Sequence, residues 1–154
     1  MLLNEITIVI TTFFSEEKLM KCLKSINDKC KVIIVENSNN INLKNKIIRN
    51  YKYAECIILK ENVGYAKSNN LGLKMAKTKY GLILNPDTVL EKDTLEKFLS
   101  SANKIEDFAI LGPYQQTGNE VEINNKEFNA TSVKSIKGFA MLINIKNFEK
   151  IGFF

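Results

Sequence analysis

With 154 residues, 45% hydrophobic and 25% charged, and with only two prolines and seven glycines, the chain has the makeup of one globular domain, not of a disordered or fibrous segment. A formal charge of +5 would suit an anionic ligand, but the lysines are scattered rather than run together, so nothing points to nucleic acid. The lack of any histidine excludes cysteine–histidine, serine–histidine and histidine–metal chemistry.

Ile6-Thr7-Ile8-Val9-Ile10-Thr11 is β-branched throughout and too short for a helix, which predicts a first strand buried on both faces. Ser15 can cap a helix that carries Glu16 and Glu17 at the positive end of its dipole and Leu19, Cys22, Leu23 and Ile26 at helical spacing. Lys31 to Glu36 repeats the strand pattern, followed by a polar loop over 37–40 and a second helix near Leu43 to Tyr51. A third strand, Glu55 to Leu59, leads through Glu61-Asn62-Val63-Gly64 into a third helix carrying Leu71, Leu73, Met75 and Ala76.

The fourth strand is the apolar run Tyr80-Gly81-Leu82-Ile83-Leu84, which stops abruptly at Asn85-Pro86-Asp87. Proline cannot donate to a strand ladder and biases the preceding residue to an extended conformation, so the strand ends there. Open α/β sheets bind ligands beyond the carboxyl ends of such strands, which puts Asp87 where a site would be. An ordinary turn with a solvated aspartate reads equally well from these residues alone. A fourth helix is predicted from Asp93-Thr94 through Lys104, then a short strand over Phe108 to Leu111 ended by Gly112-Pro113. Gln115 to Thr131 is polar with weak alternation, an irregular hairpin or loop; Phe139 to Ile145 is again strand-like, and Asn147 to Ile151 forms a short helical turn.

Strands alternating with helices predict a single α/β domain over residues 1–154 with a mostly parallel central sheet flanked by helices. Neither G-x-G-x-x-G nor G-x-x-x-x-G-K-[ST] occurs, which argues against a dehydrogenase or a P-loop ATPase. A nucleotidyltransferase would carry a glycine-rich loop after the first strand, and Thr11 to Ser15 has no glycine. Cys22, Cys30 and Cys56 are odd in number and lack CxxC spacing, as expected of reduced thiols in a cytoplasmic protein. No apolar segment approaches the roughly 18–20 residues that span a bilayer, so membrane contact would be peripheral, at the inner face.

Four segments then fall into one pattern: Val9-Ile10-Thr11-Thr12-Phe13; Val35-Glu36-Asn37-Ser38; Asn62-Val63-Gly64-Tyr65-Ala66-x-x-Asn69-Asn70-x-Gly72 ahead of Leu84-Asn85-Pro86-Asp87; and Lys137-Gly138-Phe139-Ala140-Met141-Leu142 followed by Phe148-x-x-Ile151-Gly152-Phe153-Phe154. In this order they resemble family 2 glycosyltransferases of the GT-A fold, particularly the rhamnosyltransferase-like branch. The resemblance implies a Rossmann-like nucleotide-sugar-binding fold and transfer of a sugar, with inversion, from dTDP-rhamnose or a UDP-sugar to a glycan or lipid-linked acceptor. The alternative is a non-catalytic nucleotide-sugar binding remnant of such an enzyme.

By the same resemblance, main-chain groups at Thr11, Thr12 and Phe13 would border the base, and Glu36, where the family usually has aspartate, would accept from the imide N–H of uracil or thymine. Asn62, Gly64 and Asn70 would line the donor pocket. Asn85-Pro86-Asp87 corresponds to the family's metal-binding D-x-D. Asp87 would bridge Mg²⁺ or Mn²⁺ to the diphosphate, with Asn85 standing in for the first carboxylate. The family's general base follows the Gly-Phe-x-x motif with which this chain ends, so it is expected beyond Phe154. Glu120, Glu122, Glu127 and Glu149 do not match it, and the expectation is a piece of an enzyme of roughly twice the length.

Overall fold

The computed structural model of the chain describes residues 3–26, 29–105, 107–114, 130 and 132–154. Strands form where the apolar runs lie: β1 (Ile6–Thr12), β2 (Lys31–Glu36), β3 (Ala54–Ile58) and β4 (Tyr80–Leu84). Every residue of β1 and of β4 is buried, the condition of central strands covered on both faces. Between and after them lie α1 (Glu16–Ser25), α2 (Ile41–Asn50), α3 (Tyr65–Met75) and α4 (Thr94–Ile105), and the chain closes with β5 (Ile110–Leu111), β6 (Ala140–Asn144) and α5 (Ile145–Ile151). The polar stretch expected as a loop over Gln115 to Thr131 lies outside the described residues, apart from Ala130.

The sheet has six strands in the order β3-β2-β1-β4-β6-β5. β1 runs parallel to β2 and β4, and β2 to β3; β6 runs antiparallel between β4 and β5. Side chains alternate across a strand, so β1 serves two cores. Ile6, Ile8 and Ile10 pack with Leu19, Leu23, Leu43, Ile47 and Leu99 of α1, α2 and α4. Val9 points the other way, to Leu73 of α3, Ile83, Met141, Ile143 and Phe148 of α5. No helix among the described residues is long and apolar enough to cross a membrane.

Two local expectations are corrected. Ser15 occupies the position before α1, but its side chain makes no capping bond to the helix; its hydroxyl donates to the Phe13 carbonyl at 2.8 Å. That inward turn accompanies the left-handed φ of 47° at Phe14. In α3, of the apolar residues expected along the helix only Leu73 is buried, together with Ser68, Asn69 and Gly72, and Ala76 already lies past the helix end. The helix sits too close to β1 for larger side chains: a Cβ at Gly72 would stand 2.3 Å from Val9 Cγ1.

Candidate functional site

From central β1 the chain builds outward through β2 to β3, then α3 carries it back across β1 to start β4 on the other side. The strand order therefore switches direction between β1 and β4, where open α/β sheets form a crevice at the carboxyl edge. Because β6 is antiparallel, its first residue, Ala140, pairs with Leu84 at that same edge. Thr12, Glu36, Asn85 and Phe139 are thus brought together by register from four distant stretches of sequence. Thr12 stands opposite Glu36, and the Asn85 N–H donates to the Phe139 carbonyl at 2.9 Å.

On the β1 side, Thr11 donates through Oγ1 to Asn69 Oδ1 at 2.8 Å, fixing α3 to the strand end. Thr12 Oγ1 is buried without a hydrogen-bond partner among the described residues, whereas the Asn69 amide lies near enough to the Tyr65 phenol to act on it as a hydrogen-bond donor. Beyond the strand end, Phe13 and Phe14 meet edge to face with ring centroids 4.5 Å apart, and Phe14 is 80% exposed.

Glu36 is engaged within its own loop. Its side chain is fully buried and turned into the loop that follows: Oε1 accepts from the Ser38 N–H at 2.9 Å and from the Ser38 hydroxyl, and Oε2 accepts from the Asn40 N–H at 2.6 Å. Glutamate has one methylene more than aspartate, enough to curl back onto its own loop. The neighbouring Asn37, not expected at the site, takes the connecting role. It donates through Nδ2 to Asn62 Oδ1 at 2.7 Å and accepts at Oδ1 from the Val63 N–H at 3.0 Å. Asn62 Oδ1 also accepts from the Gly64 N–H at 2.9 Å. Gly64 is required by its φ of 86° and not by crowding, since an added Cβ would meet nothing within 4 Å.

Asn70 bonds to main-chain atoms. Its Nδ2 donates to the Phe154 carbonyl at 2.8 Å and its Oδ1 accepts from the Phe154 N–H at 3.2 Å. Both ends of the amide meet the backbone of the last residue of the sequence. Asn69, one residue earlier, is the one that reaches the strand edge.

The β4 loop closes as a turn, with the Thr88 N–H donating to the Asn85 carbonyl at 3.1 Å. It leaves the Asp87 side chain 52% exposed and 3.7 Å from Lys18 Nζ, a loose surface ion pair of little energetic weight. Tyr65, at the start of α3, is the second residue not expected from sequence. Its hydroxyl lies 2.9 Å from both Asn85 Oδ1 and the Gly138 carbonyl. Burial raises the phenol's pKa and the charge of Asp87 raises it further, while the nearby Asn69 amide acts in the opposite sense. Below the loop, Cys22 Sγ approaches the Asn85 carbonyl at 3.8 Å. Its thiol is pushed up to about 12, by burial first and by Asp87 second, which makes it a neutral packing group and no nucleophile.

For a metal, the donor set is one exposed carboxylate, Asp87. No group of three or more His, Cys, Asp or Glu side chains stands together among the described residues. That set suits a hard divalent cation only when a ligand such as a diphosphate supplies further oxygens. Two clefts elsewhere, about 370 Å³ beside Ser25 and Leu90 to Glu96 and about 430 Å³ between α1 and Lys46 of α2, contain none of the edge residues.

Residues 7–153 match the family described as Glycosyl transferase family 2. Haloferax volcanii Agl10, a low-salt glycan biosynthesis hexosyltransferase, is 22% identical over 176 residues, covering 99% of this chain and 56% of its own length. Staphylococcus aureus TarP, a poly(ribitol-phosphate) beta-N-acetylglucosaminyltransferase, is 29% identical over 125 residues, 75% of this chain and 38% of its own. Among solved structures, residues 1–349 of Staphylococcus aureus TarS superpose with a TM-score of 0.72 at 18% identity, over 97% of this chain and 50% of theirs. A Pyrobaculum calidifontis mannosyltransferase, solved with GDP-Man and Mn²⁺, gives 0.74 at 16% identity over 97% and 47%. These likenesses show the GT-A fold. The chain spans from 38% to 56% of the length of these four proteins.

Proposed function

The chain belongs to glycosyl transferase family 2, and from that premise we propose that its carboxyl edge is the donor half of an inverting glycosyltransferase site, using dTDP-rhamnose or a UDP-sugar and a glycan or lipid-linked acceptor. The observation that carries this reading is that Thr12, Asn37, Asn62 and the Asn85-Pro86-Asp87 turn all lie along the carboxyl edge of the parallel strands, with the buried Thr12 Oγ1 unpaired there. Such an edge can offer separate contacts to a base, a ribose and a diphosphate. UDP-GlcNAc in TarS and GDP-Man in the mannosyltransferase, each bound to a protein of this fold, support a nucleotide-sugar ligand.

Asp87 would hold Mg²⁺ or Mn²⁺ together with the diphosphate, and such a cation stabilises charge on a departing nucleoside diphosphate. Lys18 beside Asp87 adds positive charge where phosphate oxygens would lie. The strand-end backbone at Thr11 to Phe13 would border the base. The protein is read as cytoplasmic, working at the inner face of a membrane. No residue of the chain is assigned as the general base.

The test is calorimetric titration of dTDP, UDP and GDP into the folded protein with and without Mn²⁺. Mn²⁺-enhanced binding of dTDP or UDP supports the donor site; no nucleotide binding by a folded sample overturns it. Binding without transfer to a broad acceptor panel would instead mark a non-catalytic nucleotide-sugar binder, a reading favoured by Asn85 in place of the first carboxylate.

A further inference from the structure

The hydroxyl of Tyr65 poses a counting problem. It has one proton, yet it lies 2.9 Å from two carbonyl-type acceptors, Asn85 Oδ1 and the Gly138 carbonyl. Only one can be satisfied at a time. The backbone carbonyl cannot rotate, but the Asn85 amide can, and the O and N of an amide are so alike in size that hydrogen bonds decide its orientation. Turned by half a revolution, Asn85 donates from Nδ2 to the phenol oxygen while the phenol donates to Gly138. Both contacts are then true hydrogen bonds, and Asn85 Oδ1 is left free.

We propose that Tyr65 is a positioning residue that holds the Asn85 amide with its carbonyl oxygen released, making Asn85 a neutral oxygen ligand beside Asp87 for the metal–diphosphate group. This rests on the donor-site reading above. Asn85 is half-buried and its main chain is anchored on both sides, by the Phe139 carbonyl and the Thr88 N–H, so the side chain starts from a fixed Cα beside the phenol. Among the described residues no other protein acceptor takes Asn85 Nδ2, and the phenol oxygen, which the Asn69 amide also approaches, has lone pairs for both amides. The bridge also ties three elements into one unit: the start of α3, the β4 turn and the segment ahead of β6. An aspartate at position 85 would need no such device, since either of its oxygens can accept.

The experiment is a double-mutant cycle on Mn²⁺-dependent nucleotide binding, read by calorimetry with UDP and dTDP, with thermal melting to confirm folding. Tyr65→Phe should weaken binding in the presence of Mn²⁺ by about fivefold, the worth of one positioning hydrogen bond, and leave binding without metal unchanged. In an Asn85→Asp background the same Tyr65→Phe change should have no effect on the metal enhancement. An unchanged metal enhancement in Tyr65→Phe, or an equal loss in both backgrounds, overturns the proposal. Absence of metal-dependent binding in the unmodified protein would instead overturn the donor-site reading beneath it.

Discussion

The closest approach in the fold that bears on the site is that of α3 to β1, and Gly72→Ala tests it. The new methyl would stand 2.3 Å from Val9 Cγ1 and 3.3 Å from Cγ2, where apolar carbons prefer about 3.5–4.0 Å. Val9 is β-branched, with a stiff χ1, and is packed by Leu73, Ile83 and Met141, so it cannot swing aside. Overpacking of this kind costs about 1–3 kcal/mol, against a gain of about 1 kcal/mol from replacing a helical glycine. The net expectation is a loss of up to about 2 kcal/mol. At 154 residues that lowers Tm by up to about 8 °C, measured by circular dichroism melting. The control is the same change in a Val9→Ala background. There the nearest remaining Val9 atom, Cβ, lies at an ordinary 3.4 Å, and Gly72→Ala should become stabilising. A rise in Tm in the wild-type background, or no change of sign in the Val9→Ala background, would refute the reasoning.

Asp87→Ala should abolish the Mn²⁺ enhancement of nucleotide binding in calorimetry while moving stability by less than about 0.5 kcal/mol, because its Lys18 pair is exposed; retained enhancement would remove Asp87 from the site. Glu36→Gln should cost about 1–3 kcal/mol in chemical denaturation, since an NH₂ group would replace an acceptor and face an N–H of Ser38 or Asn40, yet leave the preference among dTDP, UDP and GDP unaltered. A changed base preference would return Glu36 to the role of base reader. The thiols of Cys22, Cys30 and Cys56 are raised by burial from 9.0 to about 12, 11 and 11, so the unfolded chain loses these protons before the folded one. Their contribution to stability is complete below pH 9 and declines as pH rises from there toward 11–12. Iodoacetamide labelling at pH 8.5 should be slow in the folded protein and fast in denaturant; rapid labelling under native conditions would show that the burial is not maintained.

The strands were legible because β1 and β4 are buried on both faces, and a strand with no solvent side shows an unbroken apolar run. The Asn85-Pro86-Asp87 turn was legible for a local reason as well, proline ending the strand it follows. Where the expectation failed, the deciding contact was distant in sequence. Nothing in Asn69-Asn70 says which amide meets Thr11 and which grips Phe154, 58 and 84 residues away. The polar face that α3 buries contradicts its apolar spacing because Gly72 sets the helix against Val9. Tyr65 and Asn37 both stand in the segments that carry the family pattern, but nothing local gives the partner of either side chain.

By itself the sequence determined the alternation of strands and helices, the family pattern and the carboxylate of Asp87, since these are matters of local conformation and residue type. The tertiary structure alone decided that β6 enters antiparallel beside β4, that Glu36 is used within its own loop, and that a single phenol bridges Asn85 and Gly138. The physical reason is that hydrogen-bond valence is allotted among groups from separate segments. Which donor meets which acceptor is fixed only when the sheet register has brought them to one edge.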